Sequence, residues 1–395
     1  MKKIAVCSIC SRNYYPHARV LFDSIRRFHP DWSFHLLLAD EADENIRKSA
    51  DYFSVMPAKE LGIQGFLGMA FRYDVIELNV ALKPFLIRSL FARGYERVIY
   101  FDVDIQVFSP LTPVLEALDT ASIVITPHIT SPLTADVGPT IREDYFLKNG
   151  SYNLGFIAVS QGEESRAFLD WWADRCLTQC YREPETGLFV DQKWVDLVPC
   201  FYPNTKILRH PGCNMAYWNL HERRLSGSAV NAEVPLVFFH FSGVDISAIS
   251  DISKYQARYN LQNRPDLAEI FKNYADSIIA AGHKNFINIP YHYGNFENGA
   301  RIGLIVRRLY DHFANEYPNP FATGPGTLYE RVKRNGLLSG NPPPAYKPAD
   351  AKKRGRPINM LLKWVARLLG VGRYEALMAY MRYISVLRRQ KFLIE

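Results

Sequence analysis

At 395 residues, 48% hydrophobic and 22% charged, the chain has a globular composition and enough length for one large domain or two. No run of eighteen apolar residues occurs, which argues against a spanning helix, and Met1-Lys2-Lys3 leads to Ser8, Ser11, Arg12 and Asn13 instead of a signal-peptide core. The net charge of +7 is uneven: residues 351–395 carry eleven Lys or Arg against two Glu, a net +9, so the first 350 residues sum to −2. The six cysteines lack framework spacing and fit reduced, cytosolic thiols; Cys7 and Cys10 read as packing residues at the end of a first strand.

In chain order, Lys3 to Ile9 is a short apolar strand, followed by the polar loop Ser11-Arg12-Asn13-Tyr14. Ala18, Leu21, Phe22, Ile25 and Phe28 recur at helical spacing until Pro30, and Phe34 to Leu38 forms a second strand closed by Asp40. Strand, helix, strand predicts a parallel sheet with covering helices, whose ligands bind beyond the carboxyl ends of the strands. That places Ser8 to Tyr14 and Asp40 at the mouth of a site. Residues 51 to 69 read as irregular. Phe71 to Arg93 reads as helical with a break at Lys83-Pro84, where a new helix start would aim free N–H groups and a lysine at an anion.

Arg97 to Phe108 reads as one apolar strand carrying Asp102 and Asp104. Two residues apart, they leave the same face. Buried carboxylates need a positive partner, and hard oxygen ligands suit a divalent magnesium or manganese with positions left open for phosphate. The alternative is a strand ending at Asp102 with both acids solvated at a turn.

Ser122 to Ile125 is a further strand, residues 126 to 150 form a long loop, and Tyr152 to Val159 is a strand entered through Asn153. Arg166 to Leu177 is helical. Asp191-Gln192 opens a short helix, with Asp191 placed to cap it. Val237 to Gly243 is an apolar strand carrying His240, a core histidine or a third ligand beside the two aspartates. Residues 253 to 340 alternate helical stripes with irregular segments. Asn341-Pro342-Pro343-Pro344 reads as linker. A final amphipathic helix sets Ile358, Leu361, Leu362, Val365, Leu368 and Leu369 on one face and Lys363 and Arg367 on another. Such a helix either lies on an anionic membrane surface or docks on its own protein. Its aliphatic stripes offer no base-stacking platform, which argues against nucleic acid.

Lys83-Pro84, Asp102-x-Asp104, Asn153-x-Gly155, Asp191-Gln192 and His240-Phe241-Ser242-Gly243, in that order, resemble the GT-A-fold glycosyltransferases, specifically bacterial enzymes related to glycosyltransferase family 8. The resemblance covers roughly residues 1 to 250. It implies an α/β, Rossmann-like nucleotide-diphospho-sugar transferase fold with a mixed, mostly parallel sheet, and a C-terminal helical region. The expected division is a catalytic domain over 1–250, a helical extension with an acceptor side over 251–340, a basic linker over 341–357 and a helical tail over 358–395.

By position, the resemblance implies that Asp102, Asp104 and His240 bind manganese or magnesium, with Asp102 also on the donor diphosphate. Lys83 contacts the donor, Asn153 and Gly155 meet the donor sugar, and Gly243 lets backbone approach phosphate. Asp191 and Gln192 lie by the anomeric carbon, and Ser8 and Tyr14 flank the base. Leu154 stands where many relatives have serine. The activity so implied is metal-dependent, retaining transfer of a sugar from a nucleotide donor, UDP by analogy, to a glycan or glycolipid. The setting is cell-surface polysaccharide or lipopolysaccharide synthesis, in the cytoplasm and on the inner face of the membrane through the basic tail. Two other classes stay open, a nucleotide-sugar-binding protein without transfer and a sugar-phosphate nucleotidyltransferase. The second usually carries a glycine- and lysine-rich loop after the first strand, which Ser8 to Tyr14 lacks.

Overall fold

The computed structural model describes residues 2–41, 43–133, 142–247, 249–338 and 348–395, with backbone alone for 348–356. The chain forms two compact units, one of residues 1–69 and 75–293, the other of residues 70–74 and 294–395.

The first unit is built on a seven-stranded sheet. Its strands are β1 (Ile4–Cys10), β2 (Ser33–Leu38), β3 (Phe53–Pro57), β4 (Arg97–Phe101), β6 (Ile123–Pro127), β7 (Tyr152–Ser160) and Thr205–Ile207, with β5 (Ile105–Val107) outside it. Across the sheet the order is Thr205–Ile207, β6, β7, β4, β1, β2, β3. All neighbours run parallel except β7, which is antiparallel to both β4 and β6. The sheet is therefore mixed and mostly parallel, as the sequence predicts. The reversal of β7 has a local consequence: its first residues lie beside the carboxyl end of β4, with Phe156 opposite Phe101.

The apolar faces of the strands build the core with the helix Tyr15–Arg26, which contributes Ala18, Leu21, Phe22 and Ile25. On the sheet side the core holds Val6, Phe34, Ile99, Phe101 and Phe156, and Phe238 joins it from the strand Phe238–His240. That strand pairs antiparallel with β5, which sets His240 opposite Ile105. The helix Ala268–Ala280 belongs to the same unit and packs Phe271 and Tyr274 against Phe241, the Phe241 and Tyr274 rings stacked at 3.9 Å.

Five local expectations change. The long loop expected over 126 to 150 ends in the helix Glu143–Asn149. The run Arg97 to Phe108 is two strands joined by a turn at Asp102–Asp104, with the Ile105 N–H donating to the Asp102 carbonyl (3.1 Å). Residues 51 to 69 are not irregular throughout, since β3 and the start of the helix Phe66–Arg72 fall there. The helix expected from Phe71 is three, Phe66–Arg72, Val75–Ala81 and Lys83–Ala92, the last with Pro84 in its first turn, where a proline lacks no needed donor. The helix Pro348–Leu369 includes the residues expected to end a linker at 357, while Asn341 to Pro344 lie outside the described residues.

In the second unit, the buried Arg307 guanidinium donates to the carbonyls of Phe71 (2.7 Å) and Tyr73 (2.8 Å). Phe71 packs among Phe296, Tyr310 and Phe321, and Arg72 pairs with Asp311. The helix Pro348–Leu369 turns at Gly370 (φ 75°), a left-handed position that suits glycine, into the helix Val371–Ile384.

Candidate active site

The turn that ends β4 gathers the site. Asp102 and Asp104 do not share a face through strand alternation; they converge because the chain bends between them. The Asp102 N–H donates to the Gly155 carbonyl on β7 (2.7 Å), and the Asp104 carbonyl accepts from the Phe241 N–H (2.8 Å). The turn is thus pinned on both sides by backbone. His240 Nε2 lies 3.0 Å from Asp104 Oδ1. One ligand atom from each of Asp102, Asp104 and His240 falls within 4.8 Å of the others. Two carboxylates and an imidazole suit a manganese- or magnesium-type cation, and both aspartates keep 28% of their side chains open. The residues present therefore fit the metal that the sequence resemblance implies. Burial alone would lower the His240 pKa, but the Asp104 carboxylate outweighs it and raises it. Asp104 is shifted the other way: burial pushes it up, and His240 overcomes this to bring it below the usual value.

Behind Asp102 lies a second cluster. Lys83 is fully buried at the start of its helix. Its ammonium is 3.1 Å from Asp191 Oδ2 and 3.5 Å from Asp102 Oδ1, and it donates to the Leu154 carbonyl (2.7 Å). Tyr100 donates its hydroxyl to the same Asp102 Oδ1 (2.7 Å). Burial works against the charged lysine, yet the two aspartates prevail and its pKa is raised. For Asp191 burial dominates and pushes the carboxyl up to about 6, Lys83 opposing. Asp191 heads the helix Gln192–Val195 but makes no side-chain cap, so the capping role expected of it gives way to the pair with Lys83. The residue before it, Val190, is β-branched and lies at φ 46°, outside the usual range for its type.

Lys83 and Gln192 share a structural task. The register between β6 and β7 shifts at Ile125/Thr126, so Thr126 faces Asn153 while Ile125 faces Ile157. Residues 154–156 bulge from that ladder, and buried backbone groups freed by a bulge need other partners. Lys83 takes the Leu154 carbonyl, and Gln192 Oε1 accepts the Leu154 N–H (3.2 Å) while its Nε2 donates to the Asn149 carbonyl (3.0 Å). Gly155 sits at the same bulge. A Cβ there would lie 2.3 Å from His240 Cε1, so only glycine leaves room for the imidazole. Gly243 has φ 75°, and a Cβ on it would meet Tyr255 at 2.6 Å and Ser253 Oγ at 2.7 Å.

Beside the aspartates opens a cavity of about 260 Å³. Asn13 and Tyr14 from the loop after β1 line it, with Val75 and Asn79 from the helix Val75–Ala81 and with Asp102 and Asp104. Tyr14 is 41% exposed.

The structure thus brings together Lys83, Asp102, Asp104, Asn153, Gly155, Asp191, Gln192 and His240, with Tyr14 on the adjoining cavity. It sets Ser8 apart. That residue is fully buried in β1, its Oγ donates to the Phe101 carbonyl (2.6 Å), and the cavity is lined instead by Ser11 and Asn13. Tyr100, Thr126, His128 and Asn214 join the site unannounced by the sequence. Their side chains matter through partners distant in the chain, and no local spacing marks them.

No family model matches the chain. An uncharacterized protein of Bacillus subtilis, YfnF, is 25% identical over 287 residues, which is 69% of this chain and 91% of that one. A second uncharacterized B. subtilis protein, YfnD, is 27% identical over 169 residues, 41% and 52% of the two chains. Among solved structures, the galactosyltransferase LgtC in complex with donor and acceptor sugar analogs is 15% identical, spans 72% of this chain and 97% of its own, and gives a TM-score of 0.43. The glycosyltransferase GlyE of Streptococcus pneumoniae is 16% identical across 75% of this chain and 67% of its own, at 0.43.

Replacing Lys83 by methionine leaves Asp102 and Asp191 facing one another without their shared cation. Breaking a buried pair from one side is expected to cost about 3–5 kcal/mol in urea unfolding, with much of it recovered in the Lys83→Met/Asp191→Leu double variant. A loss no larger than the 0–1 kcal/mol or so of a surface pair would mean that Lys83 does not hold the cluster.

Asp191 keeps its proton up to about 6 in the folded chain against an ordinary 3.8. Between these values the native state carries more protons than the unfolded chain, so this group's contribution to stability is present below the window and is lost as pH rises through it. Asp191→Asn should therefore flatten the stability profile between about pH 4 and 6. Denaturant midpoints across that range measure it, and an unchanged slope contradicts it.

Proposed function

We propose that the chain is a metal-dependent glycosyltransferase of the GT-A type, moving a sugar from a nucleotide-sugar donor, UDP-linked, to a glycan or glycolipid acceptor with retention of configuration. The observation that carries the reading is the convergence of Asp102, Asp104 and His240 at the carboxyl edge of the sheet, with both aspartates also lining a cavity of about 260 Å³. That volume lies near the lower end of small-molecule pockets, about 300–1,000 Å³, and suits a base and ribose with the diphosphate outside it. The sequence resemblance supports the same reading.

In this proposal Asp102, Asp104 and His240 hold manganese or magnesium. When bound, the cation offsets the charge gathered by the leaving diphosphate. The protein's own groups prepare the rest. Tyr14 stacks at the base. Lys83 and Tyr100 fix Asp102, and Asn153 meets the donor sugar at the bulge beside Gly155. Asp191 and Gln192 stand behind the anomeric carbon. Asp191 is a carboxylate at neutral pH and stabilises positive charge on the sugar as the bond to phosphate lengthens. The acceptor hydroxyl enters from the face the diphosphate leaves, and its proton passes to the departing phosphate oxygen. Retention then needs no covalent sugar–Asp191 intermediate.

The tail supports an acceptor held at a membrane. Leu361, Trp364 and Leu368 recur along one side of the helix Pro348–Leu369 and are 61–81% exposed, with Lys363, Arg367 and Arg373 close by in the chain. Among the described residues no helix is long and apolar enough to cross a membrane. We place the protein in the cytoplasm with this helix on an anionic inner leaflet.

The deciding experiment is release of sugar from a panel of UDP- and GDP-sugars with and without manganese. One donor should be hydrolysed with manganese, and Asp104→Asn and His240→Ala should each lose about 10²-fold or more. Manganese-dependent donor binding with no transfer to any acceptor would make the protein a binding module, and no binding would end the reading. For the tail, Lys363→Gln/Arg367→Gln/Arg373→Gln should weaken binding to anionic vesicles on the order of 100-fold, at about 1 kcal/mol per basic group near the surface. Equal binding to neutral vesicles contradicts the anionic-leaflet placement, and binding to neither contradicts the membrane role.

A further inference from the structure

The geometry points to Asn214 as a positioning residue, which presents His240 to the metal through Asn153; the inference rests on the metal reading above. Asn153 Oδ1 faces three donors: the Gly155 N–H (3.2 Å), Asn214 Nδ2 (3.1 Å) and His240 Nδ1 (3.2 Å). A backbone N–H can only donate, so the atom it meets is the amide oxygen, and the flip of Asn153 is fixed. An oxygen opposite His240 Nδ1 requires the proton on that nitrogen. Nε2 is then the nitrogen that can surrender its proton and turn a lone pair to a cation, and it is the one beside Asp104. Carbonyl and carboxamide partners set metal-ligating imidazoles in this way.

Asn214 is built for this contact. It is fully buried at φ 58°, a left-handed conformation that asparagine tolerates better than most residues. Its Nδ2 donates to Thr126 Oγ1 (2.8 Å) as well as to Asn153, and its carbonyl accepts from Asn219 Nδ2 (2.9 Å). Asn219 also donates to the His128 carbonyl (3.1 Å), which ties this turn to the end of β6. The next residue, Met215, accepts the His240 N–H through its carbonyl (2.8 Å). Asn214 Oδ1 itself meets no hydrogen-bond partner among the described residues. An unsatisfied buried carbonyl is a cost that an apolar residue of similar size would avoid. Retaining the amide makes sense through its donors.

Asn214→Asp keeps the size and the left-handed conformation but turns a donor into an acceptor. Asn153 would then rotate its NH₂ toward the new carboxylate and withdraw its oxygen from His240. Asn214→Gly suits φ 58° without strain and only removes the amide, so it stays informative should the aspartate variant fold poorly. Two readouts are taken on the full chain. The first is the slowly exchanging His240 Nδ1–H signal in the metal-free protein, assigned by its loss in His240→Gln. It should be lost in Asn214→Asp and lose exchange protection in Asn214→Gly. The second is manganese affinity by calorimetry, expected to fall about 10–100-fold in Asn214→Asp with less change in Asn214→Gly. A protected Nδ1–H signal unchanged in both variants overturns the inference. If the unmodified protein binds no manganese, the metal reading fails, and the Nδ1–H signal still decides whether Asn214 orients His240.

Discussion

The ion cluster around the buried Lys83 sets the terms for this molecule. The Lys83 ammonium stands between Asp102 and Asp191 and also holds the carbonyl of Leu154. The buried Asp191 carboxylate needs a cation near it to be ionised, and a lysine so buried would lose its charge without the carboxylates. The contact joins the start of one helix, the end of β4, the bulge of β7 and the head of another helix. The position of Asp102 is thus a property of the fold and not of its own short turn.

The reversed strand gives this arrangement its reach. In a sheet parallel throughout, the strand beside β4 would bring its last residues to the ligand edge. Because β7 runs the other way, it brings its first residues, Asn153 to Gly155, to that edge. They arrive with a bulge, and a bulge leaves backbone groups that side chains must take up. Lys83 and Gln192 do so, and each therefore has a structural reason for its identity beside any part in chemistry. His240 comes from outside the main sheet, on a short strand paired with β5, so the same turn that bends Asp102 toward Asp104 also brings the imidazole alongside.

Much of this was legible in the chain. The strands β1, β2, β4 and β7 announce themselves as apolar runs, and Lys83-Pro84 marks a helix start because proline is welcome in a first turn. The strand β3 was hidden, since it is short, ends in a proline and adjoins a glycine-rich stretch. The run from Arg97 to Phe108 misled through uniform hydrophobicity. Apolar residues on both sides of a turn look like one strand when both flanks are buried, so Asp102 and Asp104 were paired for a reason that the fold does not use. Ser8 looked polar and near the site, but a hydroxyl can sit inside a strand when a neighbouring carbonyl accepts it. Asn214 could not be read at all. Its partner Asn153 is 61 residues away, and its meaning depends on a flip fixed by a third residue, Gly155.

Gly155 carries a consequence for how such a chain can drift. The imidazole of His240 fills the space that any side chain at 155 would need, at 2.3 Å from a Cβ. A mutation at 155 is therefore not neutral or harmful on its own account; its effect is conditional on what occupies 240. A Cβ at 155 would also meet His240 Nδ1 at 2.7 Å and Asn153 Oδ1 at 2.9 Å, so a side chain there requires both neighbours to give way. A side chain at 155 is therefore tied to changes at both 240 and 153, and the three positions vary together if they vary at all.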